Sequence, residues 1–252
     1  MSDFDRNYAA TPRGYAADRA VVDAGLRAHM IRVYNYMAIG VALTGLVAWF
    51  TFQAVATTTA GGGIALTPLG QTLFNGPLMW VLMLAPLGMV LVLSFGINRL
   101  SPTAALTLFF VYAASLGLSM STIFLAFTAT SITRVFFISA ASFGALSLWG
   151  YTTQRDLTGM GSFLIMGLFG IIIASLVNIF LKSSGLDWII SVIGVLVFAG
   201  LTAYDTQKIK EMYSAMDDGT VASRKAIMGA LSLYLDFINL FMMLLRLVGD
   251  RR

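Results

Sequence analysis

Charge is what this sequence has least of. Charged residues make up 11% of it, and none occurs from 33 to 98 or from 100 to 133, whereas soluble domains carry roughly a quarter. A soluble fold must solvate its surface, so uncharged stretches of that length exclude one. Cysteine is absent, which removes disulfides and thiolate metal sites and leaves the redox compartment open. The single histidine, His29, stands at the entrance to the first apolar run; it reads as an interfacial residue and excludes a zinc site of the HExxH type. No Gly-x-Ser-Gly stretch and no phosphate-binding glycine loop occurs. The net charge of +4 comes from Lys and Arg placed between apolar runs and at the ends, a distribution that sets membrane topology and forms no nucleic-acid patch.

What fills the chain instead is apolar sequence, 58% of it. About 20 apolar residues span a bilayer as a helix, and that length divides the chain into seven candidate spans: 30–52, 78–97, 103–127, 135–151, 163–181, 188–205 and 227–248. The segments are twice as long as barrel strands and lack their alternation, so the fold class is an all-α polytopic membrane protein. The polar residues 1–29 form a flexible N-terminal tail, 30–248 the seven-helix domain and 249–252 a short C-terminal tail. The first run begins too late and runs too long for a cleaved signal peptide. Residues 53–77, rich in Thr and Gly, read as an irregular external loop.

Lys and Arg positions orient the bundle. With the N-terminus in the cytoplasm, eleven basic residues fall inside and five outside, namely Arg134, Lys182, Arg246, Arg251 and Arg252, which obeys the positive-inside rule. Three of the five outer ones cluster at the C-terminal end. Either the last segment is re-entrant or the upstream bias overrides them; seven full spans are the preferred arrangement.

Asp205 and Asp236 lie in or at the edge of apolar segments. An acid in hydrocarbon costs about 2.5–3.5 kcal/mol on insertion scales, so it marks a candidate functional site. At 100° per residue, Ser232, Asp236, Asn239 and Arg246 share one face of the last helix. Polar groups in lipid must face protein or water, so this stripe looks inward, towards the centre of the bundle or a pathway. Asp205 shares its face with Ser191, Gly194, Phe198, Leu201 and Thr202, small enough in part for a close neighbour. Asp236 lies roughly 14 Å into its span and Asp205 near the end of its own, so contact requires tilt or a deeper sixth helix. If they meet, like charges resist double ionisation and the pair shares a proton; it then also offers oxygen ligands for weak, transient calcium binding. The alternative is that each acid separately accepts hydrogen bonds from neighbours such as Tyr204 and Tyr234. Ala113, Gly117 and Ser121 form a small-residue packing face, Asn178 and Asn239 read as hydrogen-bonding across helices, and Arg155 with Asp156 reads as an ion pair or helix cap.

Three blocks, GYTTQRDLTGMGSF (150–163), TAYDTQKIK (202–210) and LYLDFINLF (233–241), resemble the Bax inhibitor-1 (YccA-like, transmembrane Bax inhibitor motif) family, bacterial members in particular, over residues 27–248. The resemblance implies seven helices with the last central and wrapped by the other six, in the bacterial inner membrane, and the count of basic residues puts the N-terminus in the cytoplasm. It implies a pH-sensitive calcium leak, in which Asp205 and Asp236 match the aspartates proposed as pH sensor, with no cofactor beyond calcium as the permeant ion. Family members with a latch carry an acid and an Arg on the second helix; here 78–97 has neither and holds Pro86, and Arg99 just beyond is the one possible substitute. The family also implies an alternative: a regulatory protein of the stress response that binds a membrane-bound ATP-dependent protease and transports nothing. An enzyme is not expected. Tyr204 and Asp205 supply the Tyr-Asp pair of an intramembrane aspartyl protease, but the Gly-x-Gly-Asp such an enzyme needs is absent, since Leu233, Tyr234 and Leu235 precede Asp236.

Overall fold

A computed structural model of the chain describes residues 12–58 and 63–252. Helix α1 (Pro12–Val55) is followed by a hairpin of β1 (Ala56–Thr58) and β2 (Ile64–Leu66), then α2 (Pro68–Asn75), α3 (Leu78–Gly96), α4 (Pro102–Met120), the single turn α5 (Ile123–Ala126), α6 (Ala129–Thr152), α7 (Thr158–Leu181), α8 (Ser184–Glu211) and α9 (Gly219–Val248). Seven helices among the described residues are long and apolar enough to cross a membrane, with α4 and α5 together making the third.

Several boundaries differ from expectation because polar residues extend helices beyond the hydrocarbon. The first eleven residues of the expected flexible tail lie outside the described residues; from Pro12 the backbone is helical, and the crossing portion is Asp23–Val55. Met30, Val33, Met37 and Gly40 are buried at helical spacing while Arg27 and Arg32 stay exposed, so one face of the crossing portion packs into the bundle. The described residues of the loop 53–77 are not irregular. Ala56 pairs with Leu66 and Thr58 with Ile64 in an antiparallel ladder. The Thr67 hydroxyl then accepts the Gly70 amide at 3.2 Å, and Pro68 occupies the first helical position, where its missing N–H costs nothing. Ser101 and Thr128 cap α4 and α6 in the same way.

Helix α9 forms the core. About 67% of its apolar window is buried, against 11% for α3 and for α7. Its principal neighbours are α8, α1, α6 and α4, while α3 packs on α4 and α7 on α8. The last helix is therefore central, but four helices enclose it and two sit outside them. The small-residue face of the third span meets α1: Ala113, Gly117 and Ser121 are buried, and the Thr44 hydroxyl lies 2.9 Å from the Ala113 carbonyl. At 30 residues α9 is one continuous helix, about 45 Å long. The strand-like tail beyond it pairs Arg251 with Phe127 at the α5–α6 junction. The tail thus ends at the opposite side of the bundle from the α8–α9 turn, and the re-entrant arrangement does not occur.

Candidate functional site

The first two sequence blocks meet in space and fix α8. Gln207, buried in α8, accepts the Leu157 amide on Oε1 and donates from Nε2 to the Arg155 carbonyl, both at 2.8 Å. The Lys210 ammonium donates to the Tyr151 carbonyl at 2.9 Å and lies 5.3 Å from the Tyr151 ring centre. Glycine is required where the helices cross most closely: a Cβ at Gly150 would stand 2.2 Å from the Ala203 carbonyl, and one at Gly161 2.3 Å from the Tyr204 ring. Asp156 accepts the Thr158 amide, the first of α7, at 2.8 Å, although the N-cap residue of α7 is Leu157, which makes no side-chain cap bond. Hydrogen bonds from the Thr158 side chain and backbone hold its carboxyl below the usual carboxylate range. The Asp156–Arg155 ion pair does not form among the described residues, whose ion pairs lie elsewhere.

This clamp sets the depth of Asp205. Along the antiparallel α8–α9 seam, Gly229 faces Ile209 and Gly194 faces Met243, a register that places Asp205 opposite the Ser232–Leu233 step and Asp236 opposite Leu201–Thr202. The two aspartates are then offset by about one helical turn, roughly 5 Å along the axis. The larger offset feared from sequence disappears because α8 continues six residues past Asp205, to Glu211. The carboxylates are electrostatic neighbours, with Asp205 acting on Asp236 and Lys208 acting on Asp205. Asp236 is 5% exposed, and its Oδ2 is buried without a hydrogen-bond partner. Asp205 is only partly buried.

The alternative in which each acid has its own hydroxyl donor finds no support in Tyr204 or Tyr234. Tyr234 lies 2.6 Å from the Thr44 hydroxyl, and the Tyr204 ring packs over Gly161 with Lys208 at 5.8 Å from its centre. A separate line of hydroxyls crosses the bundle beside Asp205. Tyr34 in α1 bonds Ser147 in α6 at 2.5 Å, Ser147 bonds Thr206 at 2.9 Å, and Thr206 donates to the Thr202 carbonyl at 2.7 Å.

The remaining predicted residues separate. Ser232 is partly buried one turn before Asp236. Asn239 donates to the Leu235 carbonyl of its own helix at 2.8 Å, and Asn178 accepts the Ser183 amide at 3.0 Å; neither bonds across helices, because each finds a backbone partner within reach of its short side chain. Arg246 leaves the stripe for the end of the bundle that carries the C-terminal tail, 3.9 Å from Asp187, which Arg251 also approaches at 3.5 Å. Arg99 is exposed after α3 and joins no ion pair among the described residues. That end is held instead by Arg224, whose Nε and Nη2 donate to the Leu100 carbonyl at 3.0 and 2.7 Å.

Sequence reasoning passed over Gln207, Tyr34, Ser147 and Thr206, since ordinary polar residues near helix ends carry no spacing signal. His29, read as an interfacial residue, is 6% exposed against Tyr213, with an Nε2 unpartnered among the described residues. No group of three His, Cys, Asp or Glu gathers among the described residues. A calcium ion, which takes six to eight oxygens, would find two carboxylates here and would need carbonyls or water for the rest.

A profile described as Inhibitor of apoptosis-promoting Bax1 matches residues 26–252. Among similar proteins are an uncharacterised protein of Rickettsia prowazekii, 49% identical over 91% of this chain and 92% of its own length, and Inner membrane protein YbhL of Escherichia coli K12, 47% identical over 91% and 94%. A third, an uncharacterised protein of Caulobacter vibrioides, is 44% identical over the whole of both chains. With the three blocks brought together in a seven-helix bundle and the match running from α1 to the C-terminus, the chain belongs to the Bax inhibitor-1 family of membrane proteins.

Proposed function

We propose that this protein is a proton-regulated leak pathway for cations, calcium in particular, in a bacterial inner membrane, with the Asp205–Asp236 pair as its switch. The observation that carries the reading is Asp236 Oδ2, buried without a partner beside a second carboxyl. An ionised carboxylate denied both water and donors is strongly disfavoured, and two adjacent ones more so. Holding one proton between them, the acids let the α8–α9 seam stay closed. Losing it leaves two negative charges that repel and demand hydration, so the seam opens to water and presents oxygens to a hard cation. Flux therefore rises with pH through the titration of the pair, and no covalent chemistry is assigned to it.

The N-terminus is placed in the cytoplasm. The count of basic residues supports this, and so does the pairing of outer ones: Arg134 with Asp250 at 3.0 Å, and Arg246 and Arg251 with Asp187. Purified protein in liposomes loaded with a calcium indicator tests the transport claim. Calcium entry above that of protein-free vesicles supports it, and entry equal to theirs at every pH rejects it.

A further inference from the structure

Helices α1 and α6 both pack on α9, and a lateral crevice runs between them. Its first chamber, about 410 Å³, is bounded by Arg27, Met30, Ile31, Tyr34, Leu148 and Tyr151. The second, about 270 Å³, lies between Met37 and Ala38 on one side and Ala140 and Phe143 on the other, with Phe237 of α9 beneath. The third, about 320 Å³, shares Val41, Phe136 and Phe237 with the second and reaches Phe124 near the outer end. The Tyr34–Ser147 bond ties the two helices between the first and second chambers.

The crevice changes character along its length. Beyond Tyr34 its walls are aliphatic and aromatic apart from Thr44 and Thr133 in the third chamber. At its near end stands Arg27, exposed and without a carboxylate partner among the described residues; close by, the Lys210 ammonium overlies Tyr151, a wall of the same chamber. From Arg27 to Val41 the helix rises about 21 Å, half the roughly 40–45 Å of a bilayer with its headgroups. Basic pockets between membrane helices on the cytoplasmic side suit anionic headgroups. We propose that the α1–α6 crevice is a binding site for one anionic phospholipid, its phosphate at Arg27 and an acyl chain lying past Met37 and Ala38 onto Phe237. Only the assignment to the cytoplasmic leaflet rests on the orientation proposed above; the site does not depend on the aspartate switch.

The test is native mass spectrometry of the delipidated full-length protein, titrated with phosphatidylglycerol or with phosphatidylcholine of the same chains. The wild-type protein is expected to take up one phosphatidylglycerol about fivefold more tightly than phosphatidylcholine, and Arg27→Gln to abolish that preference. Ala38→Trp, at an exposed position that fills the second chamber without disturbing the core, is expected to remove the first adduct of either lipid. Equal binding of the two lipids by the wild type, a preference that survives Arg27→Gln, or a first adduct that survives Ala38→Trp overturns the proposal. So does a dimer that Ala38→Trp dissociates, since the crevice would then belong to a second copy.

Discussion

Asp236 carries a buried oxygen that nothing among the described residues satisfies, and a stability cost of about 1–3 kcal/mol attaches to such a group. Replacing Asp236 with Leu should therefore raise the thermal midpoint in detergent while removing the pH response of transport, the trade-off expected where function keeps a strained site. A midpoint that falls would mean the carboxyl is satisfied after all. Asp156 behaves in the opposite way. Its carboxyl is held below the usual range by Thr158, so its support for the first amide of α7 is complete above the ordinary carboxylate pKa of about 3.9 and is lost as pH falls through the lowered value. Asp156→Ala should lower the midpoint at neutral pH, and the gap from wild type should close in strong acid. Both aspartates of the pair stood out in the sequence because acids are rare in apolar runs; the unpaired oxygen did not, since satisfaction depends on neighbours 30 or more residues away.

At the scale of elements, the α6–α7 turn is fastened to α8 by one side chain using both of its ends. Gln207→Ala leaves the Leu157 amide without its acceptor and should cost about 1–3 kcal/mol. Hydrogen exchange of residues 153–157 should quicken while α9 stays protected; uniform loosening of the bundle would show that the clamp is not local. Number and order of the helices were legible because apolar length is a direct consequence of bilayer thickness. Their ends were not, since capping by Ser101, Thr128 and Ser183 and packing of polar turns against one another extend helices past the apolar stretch. The same shortfall misjudged the depth of Asp205, which only the true end of α8 at Glu211 and the Gly229–Ile209 contact resolve. Arg99, the possible latch, stands apart from the aspartates for a related reason: it follows the end of α3, a peripheral helix packed on α4.

Across the whole molecule, charge is sorted by side and by partner. Of the five basic residues that strain the positive-inside rule, Arg134 pairs with Asp250 while Arg246 and Arg251 share Asp187, so two acids offset part of the positive charge at that end. A reporter fused after Arg252 should be active only on the periplasmic side, and cytoplasmic activity would reverse the orientation. The α8–α9 seam that holds the aspartates runs along the most buried helix and ends at the Asp187–Arg246 pair. The central claim is that a shared proton on Asp205 and Asp236 closes this seam. Calcium flux in liposomes, measured across pH for the wild type, Asp205→Asn and Asp236→Asn, tests it most directly. Flux that rises with pH in the wild type and is flat in both variants is the predicted result; the same pH profile in all three proteins would contradict it.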